Sequence, residues 1–404
     1  FLLSSPWLPG WLGFQEVAGT GSLSALFATG AVEIIVLLGT GYAASLNFAN
    51  ATVAWPILPT LLLSQLGLAV HWGAAYLGAP LWAQTLAISA TSAFAMITTW
   101  WMLRISHPWL GNLTPLRFDA AVWRDLAGTS GWMYLYSLTF AIYSNADRLL
   151  INAGFGSAVV PSYLQNYKLG ELLLQLILTA GVVSVPKMTR WIASNEPSDR
   201  DRVVEELGRL NMFQILPAVA AALFYLIVND TFIRLWLGEE YLVPLVWQFA
   251  FALNIAITGS MAACVQMVGS CGKQGLRNAA LTIGASGLLN FVLSFWSMKA
   301  GSIAGIAFAT VLSQWLQGVA VCWLTTRYLS IHFWSWAMRT AVLPVSAVAA
   351  GYMLRIQFPP ENGGNIAALL ACDLFLLLLL AYLTGFRMHL IQHEWQNFRR
   401  IFRK

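Results

Sequence analysis

Charge is what this chain has least of. Asp, Glu, Lys and Arg together make up 10% of its 404 residues, against about a quarter in a soluble domain, which excludes a solvated globular surface. Cysteine is scarce as well. Cys264, Cys271, Cys322 and Cys372 show no CxxC spacing and lie in or beside apolar runs, so neither a disulfide framework nor a zinc site is expected and the thiols read as packing filler. Period-2 alternation is missing, which excludes a β-barrel. No outer connection between apolar runs exceeds about a dozen residues, an ordinary loop length with no room for a catalytic domain. Complete enzyme motifs are missing too. "GSCGKQG" at 269–275 lacks the Ser or Thr and the preceding strand of a phosphate-cradling loop and reads as a tight turn. "HLIQHE" sets His389 and His393 four residues apart on one helical face, a metal-compatible spacing, but in a basic tail where an interfacial helix is the stronger reading. His71, His107 and His332 each stand alone near the end of a run. No cofactor and no metal is expected.

What the chain has is hydrophobicity: 58% of residues and a mean hydropathy of +0.66. An α-helix needs about 20 apolar residues to cross ~30 Å of hydrocarbon, and eleven such runs are present, near 23–45, 51–72, 78–103, 130–153, 161–186, 211–230, 242–268, 278–298, 302–326, 336–354 and 365–385. The fold class is therefore an all-α polytopic membrane protein of eleven transmembrane helices, since only helices satisfy their backbone in lipid once barrels are excluded. The opening "FLLSSPWLPGWLGF" is 14 residues long and contains two prolines, too short to span.

Basic residues set the orientation. Of 22 Lys and Arg, 17 fall in the connections at 103–130, 186–211, near 273, around 330 and in the tail, against three (Arg234, Lys299, Arg355) on the opposite side. The crowded side, with the C-terminus, is expected to be cytoplasmic, and the formal charge of +5 is topology charge, with no nucleic-acid footprint. Phe1 then falls outside with no secretory signal before it, so an odd number of spans is expected to be missing ahead of it. Single cysteines at Asn195 or Gly272 should resist an impermeant thiol reagent in intact cells while Gly156 or Glu239 positions react; the reverse labelling would overturn the orientation.

Six charges fall inside apolar runs at five or more residues from either end: Glu33, Asp147, Arg148, Lys168, Glu171 and Asp373. Each costs at least ~2.5 kcal/mol at a helix centre and so faces a polar cavity or a partner. Four of them sit in the consecutive runs 130–153 and 161–186 at matching depths, together with Asn145, Gln165, Asn166 and Gln175. Asp147 and Arg148 point about 100° apart, whereas Lys168 and Glu171 share a face, so cross-helix pairs, Asp147 with Lys168 or Arg148 with Glu171, are expected. Two readings stand: a structural ion-pair lock between neighbouring helices, or the wall of a substrate cavity. The polarity of the first half of 161–186 favours the cavity. Glu33, alone in "GAVEIIVLLG", is a candidate for ion coupling because a lone buried carboxyl tends to take up a proton; a protonated, packing Glu is the plainer reading. Asp373 has no role in either scheme.

The stretch "AIYSNADRLLINAGFGSAVVPSYLQNYKLGELLLQLILTAGVVSVPKMTRW" (141–191) resembles the seventh and eighth helices of Wzx-type lipid-linked oligosaccharide flippases, with Asp147, Arg148, Tyr163 and Pro186 at the positions that recur in them. "RLWLGEEYL" (234–242) is similar to the Trp-Leu-Gly element between their ninth and tenth helices. The family belongs to a superfamily with multidrug exporters of the MATE type and the peptidoglycan-precursor flippase MurJ. The resemblance implies two six-helix lobes rocking about a central site, with 1–103 as three helices of an incomplete N-terminal lobe, 104–129 as a cytoplasmic connection, 130–327 as the second lobe, and 328–404 as an additional helix pair and basic tail.

It further implies transport of an undecaprenyl-pyrophosphate-linked oligosaccharide across a bacterial inner membrane for O-antigen or other polysaccharide synthesis. The partners are that substrate, membrane lipids, a coupling proton or sodium ion and a polysaccharide polymerase. The substrate-binding residues are Arg148, Lys168, Asp147 and Glu171, with Arg148 and Lys168 holding phosphate or acidic sugars. Two other classes remain. The six intramembrane charges sum to −2, which suits a MATE-type cation exporter, and a polytopic glycosyltransferase or ligase would need the outer loop that is missing.

Overall fold

The computed structural model describes residues 29, 32, 36, 66, 67, 69, 70, 73, 74, 76–106, 120–182, 184–194, 196–359 and 363–384. Among these no strand occurs. The helices are α1 (Leu81–Ser106), α2 (Ala120–Phe155), α3 (Val159–Val182), α4 (Val185–Ser194), α5 (Pro197–Trp236), α6 (Leu245–Ser270), α7 (Gly272–Lys299), α8 (Ile303–Leu329), α9 (Phe333–Ala337), α10 (Leu343–Gln357) and α11 (Gly363–Thr384). The nine apolar runs from 78–103 onward each coincide with a long helix; those near 23–45 and 51–72, the opening stretch and the His389–His393 pair lie largely or wholly outside the described residues.

Among the described residues seven helices are long and apolar enough to cross a membrane, from Trp82–Ile105 to Asn365–Thr384, and the protein is a multi-pass membrane protein. α2 and α3, which carry four of the intramembrane charges, fall outside this set, but their 36 and 24 residues give ~54 and ~36 Å of helix at 1.5 Å per residue. Two helices begin well before their apolar runs: α2 at Ala120, inside the connection expected over 104–129, and α5 at Pro197, ahead of the run that starts at 211. An apolar run reports the part of a helix that meets hydrocarbon; the polar turns before it are as helical but carry no such mark.

The chain divides into two compact units, 1–119 and 120–404. In the second, α6 is the central helix, buried on nearly all sides against α3, α5 and α8. Close approach is bought with small residues: a Cβ on Gly318 of α8 would overlap the Met261 sulfur of α6, and one on Gly259 would press into Ala218 of α5. The unit has two ends. One bears the turns at Gly156 and Gly301, the other the single-residue turn at Cys271, where Gly272 takes a positive φ of 66°. "GSCGKQG" is thus the tight α6–α7 turn that its composition suggests.

The last helix pair is fastened to this unit by polar contacts. A π-turn, Met338–Val342, precedes α10. Pro344 lacks the N–H that would reach the Thr340 carbonyl in a regular helix, and Ser260 Oγ of α6 donates to that carbonyl at 2.8 Å. Trp315 Nε1 of α8 donates to the next carbonyl, Ala341, at 3.2 Å. Further along α10, Arg355 is 4% exposed; it pairs with Asp230 of α5 and donates to Gln248 of α6 at 3.0 Å.

Candidate functional site

Asp147 lies on the face of α2 that turns into the unit, and its side chain is buried. Thr310 Oγ1 of α8 donates to its Oδ2 at 2.7 Å and the Tyr163 hydroxyl of α3 at 3.1 Å. Ser294 Oγ of α7 stands 3.5 Å from Oδ1. Asn290, one turn before Ser294, presents Oδ1 to Ser294 at 3.2 Å and to Thr310 at 3.1 Å, while its Nδ2 is buried without a hydrogen bond. Four helices supply this cage. The helix ends place the five residues in one slab, ~6 to ~14 Å from the Gly156 end at 1.5 Å per residue. Tyr163 is itself held edge-on against Phe251, with ring centroids 5.1 Å apart.

No basic side chain among the described residues pairs with Asp147. Hydrogen bonds to a charged group contribute about 1.5–3 kcal/mol each, so the two shorter ones supply roughly 3–6 kcal/mol, the same order as the several kcal/mol needed to desolvate a carboxylate. The anion alone is close to break-even. One added positive charge, a proton on the carboxyl or a small cation among these oxygens, decides the balance.

The other expected residues are placed differently. Lys168 and Glu171 do pair, but with each other: Nζ to Oε2 is 2.7 Å on one face of α3, with side chains 48% and 41% exposed. Arg148 is exposed on the outward side of α2 and has no ion pair among the described residues. The expected cross-helix pairs, Asp147 with Lys168 and Arg148 with Glu171, are therefore not formed. Residues i and i+3 of one helix are already neighbours, and Asp147 is turned inward, away from the exposed face. Asp147 stands apart from Arg148, Lys168 and Glu171. Glu33 lies outside the described residues. Asp373 is buried on α11 beside Gly351 of α10.

α3 is pinned close to Asp147. Asn166, fully buried, donates from Nδ2 to the Tyr241 carbonyl at 2.7 Å, and its own carbonyl accepts from Tyr225 at 2.9 Å. Tyr241 closes the turn after Gly238, so the Trp-Leu-Gly element singled out in the sequence is the seat of α3. Asn290, Ser294 and Thr310 escaped the sequence reading. Small polar residues are ordinary in spanning helices, and the only available hint was the four-residue spacing of Asn290 and Ser294 in "GLLNFVLSFW".

Two more polar groups lie inside the unit. In its middle, Thr258 of α6 donates to Gln314 of α8 or to Asn254 Oδ1, and Asn254 Nδ2 donates to the Tyr167 hydroxyl of α3 at 3.3 Å. Toward the Cys271 end, Gln214 and Gln266 crowd the bare backbone at Gly181. There Asn211 Oδ1, both ends of the Gln214 amide and Gln266 Oε1 are buried with no hydrogen bond from the protein. Four such atoms left dry would cost roughly 1–3 kcal/mol each.

Residues 56–246 match a family model described as polysaccharide biosynthesis protein; both stretches that resemble flippases, 141–191 and 234–242, lie within that range. No curated protein and no solved structure matches the chain.

Proposed function

Taking residues 56–246 as belonging to the polysaccharide biosynthesis protein family, we propose that this chain flips a lipid-linked oligosaccharide, an undecaprenyl-pyrophosphate-borne repeat unit, from the cytoplasmic to the outer leaflet of a bacterial inner membrane by alternating access. It acts as a transporter and not as an enzyme. The observation that carries this is exposed charge on both α2 and α3 within the matched segment: Arg148, with no ion pair among the described residues, and a Lys168–Glu171 pair on the polar half of α3. A pyrophosphate and its sugar cannot cross hydrocarbon with their charges and hydroxyls unmet. Arg148 offers forked donors to phosphate, and the exposed pair offers one donor and one acceptor to sugar hydroxyls at little cost, since such a pair is worth ~0–1 kcal/mol to the fold.

The coupling ion, a proton or sodium, is assigned to Asp147 and its cage; Asp147 thereby leaves the substrate set. This also weakens the reading as a MATE-type cation exporter, which wants a carboxylate facing the cavity, because Asp147 is turned inward behind Tyr163 and Thr310. The orientation inferred from the basic residues puts the Cys271 end in the cytoplasm.

Arg148→Ala tests the substrate assignment. Losing a charge-assisted bond to phosphate costs roughly 1.5–3 kcal/mol, a ten- to hundred-fold loss, so surface polysaccharide should fall by that order in cells whose membranes hold normal amounts of the protein. Arg148→Lys should recover part of it. Adding Glu171→Ala should bring no rescue, because Glu171 is not the partner that Arg148 leaves behind; recovered export in that double variant would sink the substrate-facing role.

A further inference from the structure

Three polar groups lie in sequence through the second unit, and the mechanism above uses only the first. From the Asp147 cage, the Tyr143 hydroxyl reaches the Thr310 carbonyl at 3.4 Å. One turn on along α8 stands Gln314, bonded to Thr258, which leads through Asn254 to Tyr167. The amide cluster of Asn211, Gln214 and Gln266 comes last. Thr258 and Gln266 are eight residues apart on α6, ~12 Å along its axis. The gap is apolar and tightly closed by Met261 against Gly318, and by Ile177 and Ala218 against Gly259.

We infer that these groups form a gated aqueous route from the Cys271 end to Asp147, with the amide cluster as its hydrated mouth and Met261 as its plug. The inference rests on the ion-coupling role given to Asp147. Gln214 is 0% exposed with both ends of its amide unpartnered, and buried amides of this kind are ordinarily satisfied by water, which needs two to four polar partners in one place. The cluster supplies four such atoms. An ion-coupled transporter must admit its ion to the same carboxylate from both sides in turn. Asp147 sits near the Gly156 end, so the access it lacks is from the opposite end, where the amides lie. Methionine suits a plug there: its unbranched thioether changes rotamer readily, and its sulfur fills the space that the missing Cβ of Gly318 leaves.

The test uses full-length protein in liposomes without substrate, with an internal pH dye or a sodium-sensitive dye to follow an imposed gradient of protons or of sodium. Met261→Ala should raise the leak of the coupling ion about ten-fold over wild type, Met261→Val less, and Met261→Leu not at all. Gln214→Leu or Thr258→Val placed on Met261→Ala should return the leak to the wild-type level. Gln214→Leu alone should melt no lower than wild type, because the amide it removes makes no bond within the protein. A folded Met261→Ala and Met261→Val that stay tight, or a leak that ignores Gln214 and Thr258, overturns the route; so does a lowered melting temperature for Gln214→Leu, which would make the amide structural. Failure of the underlying reading shows separately, as wild-type polysaccharide export by Asp147→Asn.

Discussion

Asp147→Asn should leave a folded protein that exports almost nothing. Asparagine keeps an oxygen to accept the Thr310 and Tyr163 hydroxyls, and its amide can donate to Ser294, so the cage retains its bonds and the protein should accumulate as the parent does. The unit of negative charge is what goes. A cation 4 Å from a carboxylate at an effective dielectric of 20 gains about 4 kcal/mol, so its removal weakens ion binding by roughly a thousand-fold, and a proton has no carboxyl left to occupy. Surface polysaccharide, measured against the amount of protein in the membrane, should drop to the level of a strain without the gene. Export by the parent protein in cells depleted of sodium, and its dependence on external pH, would then tell which ion the carboxylate takes. Normal export by a stable Asp147→Asn would remove Asp147 from the transport cycle.

Arg355→Ala should act on stability and not on transport chemistry. Arg355 is almost wholly buried and serves Asp230 and Gln248 together, so truncation strands a carboxylate and an amide oxygen between α5, α6 and α10. Breaking a buried pair from one side costs about 3–5 kcal/mol, and the lower figure applies because the Asp230 side chain keeps 31% of its exposure. Against a total stability of about 5–15 kcal/mol, the expected outcome is a clearly lowered melting temperature in detergent and reduced protein in the membrane. Removing the stranded charge as well, Arg355→Leu with Asp230→Asn, should recover most of the loss. An unchanged melting temperature for Arg355→Ala would mean that the clasp does not hold the last helix pair.

The long helices over 78–385 were legible in number and placement because a membrane imposes one length on every apolar run, and helices such as α6 and α8 match theirs within a few residues; the short α4 and α9 were not. Helix starts were not, since the polar turns of α2 before 130 and of α5 before 211 leave no hydropathy mark. Within the site, the depth of Asp147 and the shared face of Lys168 and Glu171 followed from helical geometry. Which face of α2 turns inward did not. That depends on what α7 and α8 offer across the gap, and Asn290, Ser294 and Thr310 look like any small polar residues until the carboxylate is placed among them. Arg355 shows the same limit: read as an outer-side charge, it is the buried half of a clasp whose other members lie 125 and 107 positions away.

The π-turn at Met338–Val342 sets what α10 can reach. It carries one residue more than an α-helical turn, and each residue advances a helix by about 100° of rotation. Without that extra residue every side chain from Leu343 onward would be swung by more than a quarter turn. Arg355 would then face away from Asp230 and Gln248, and Gly351 would no longer lie against Leu223 of α5. The bulge, held by Ser260 on the carbonyl that Pro344 leaves free and by Trp315 on the next, is thus a phase shifter: a single inserted position before Pro344 aligns the inner face of a helix with partners met ten or more residues later.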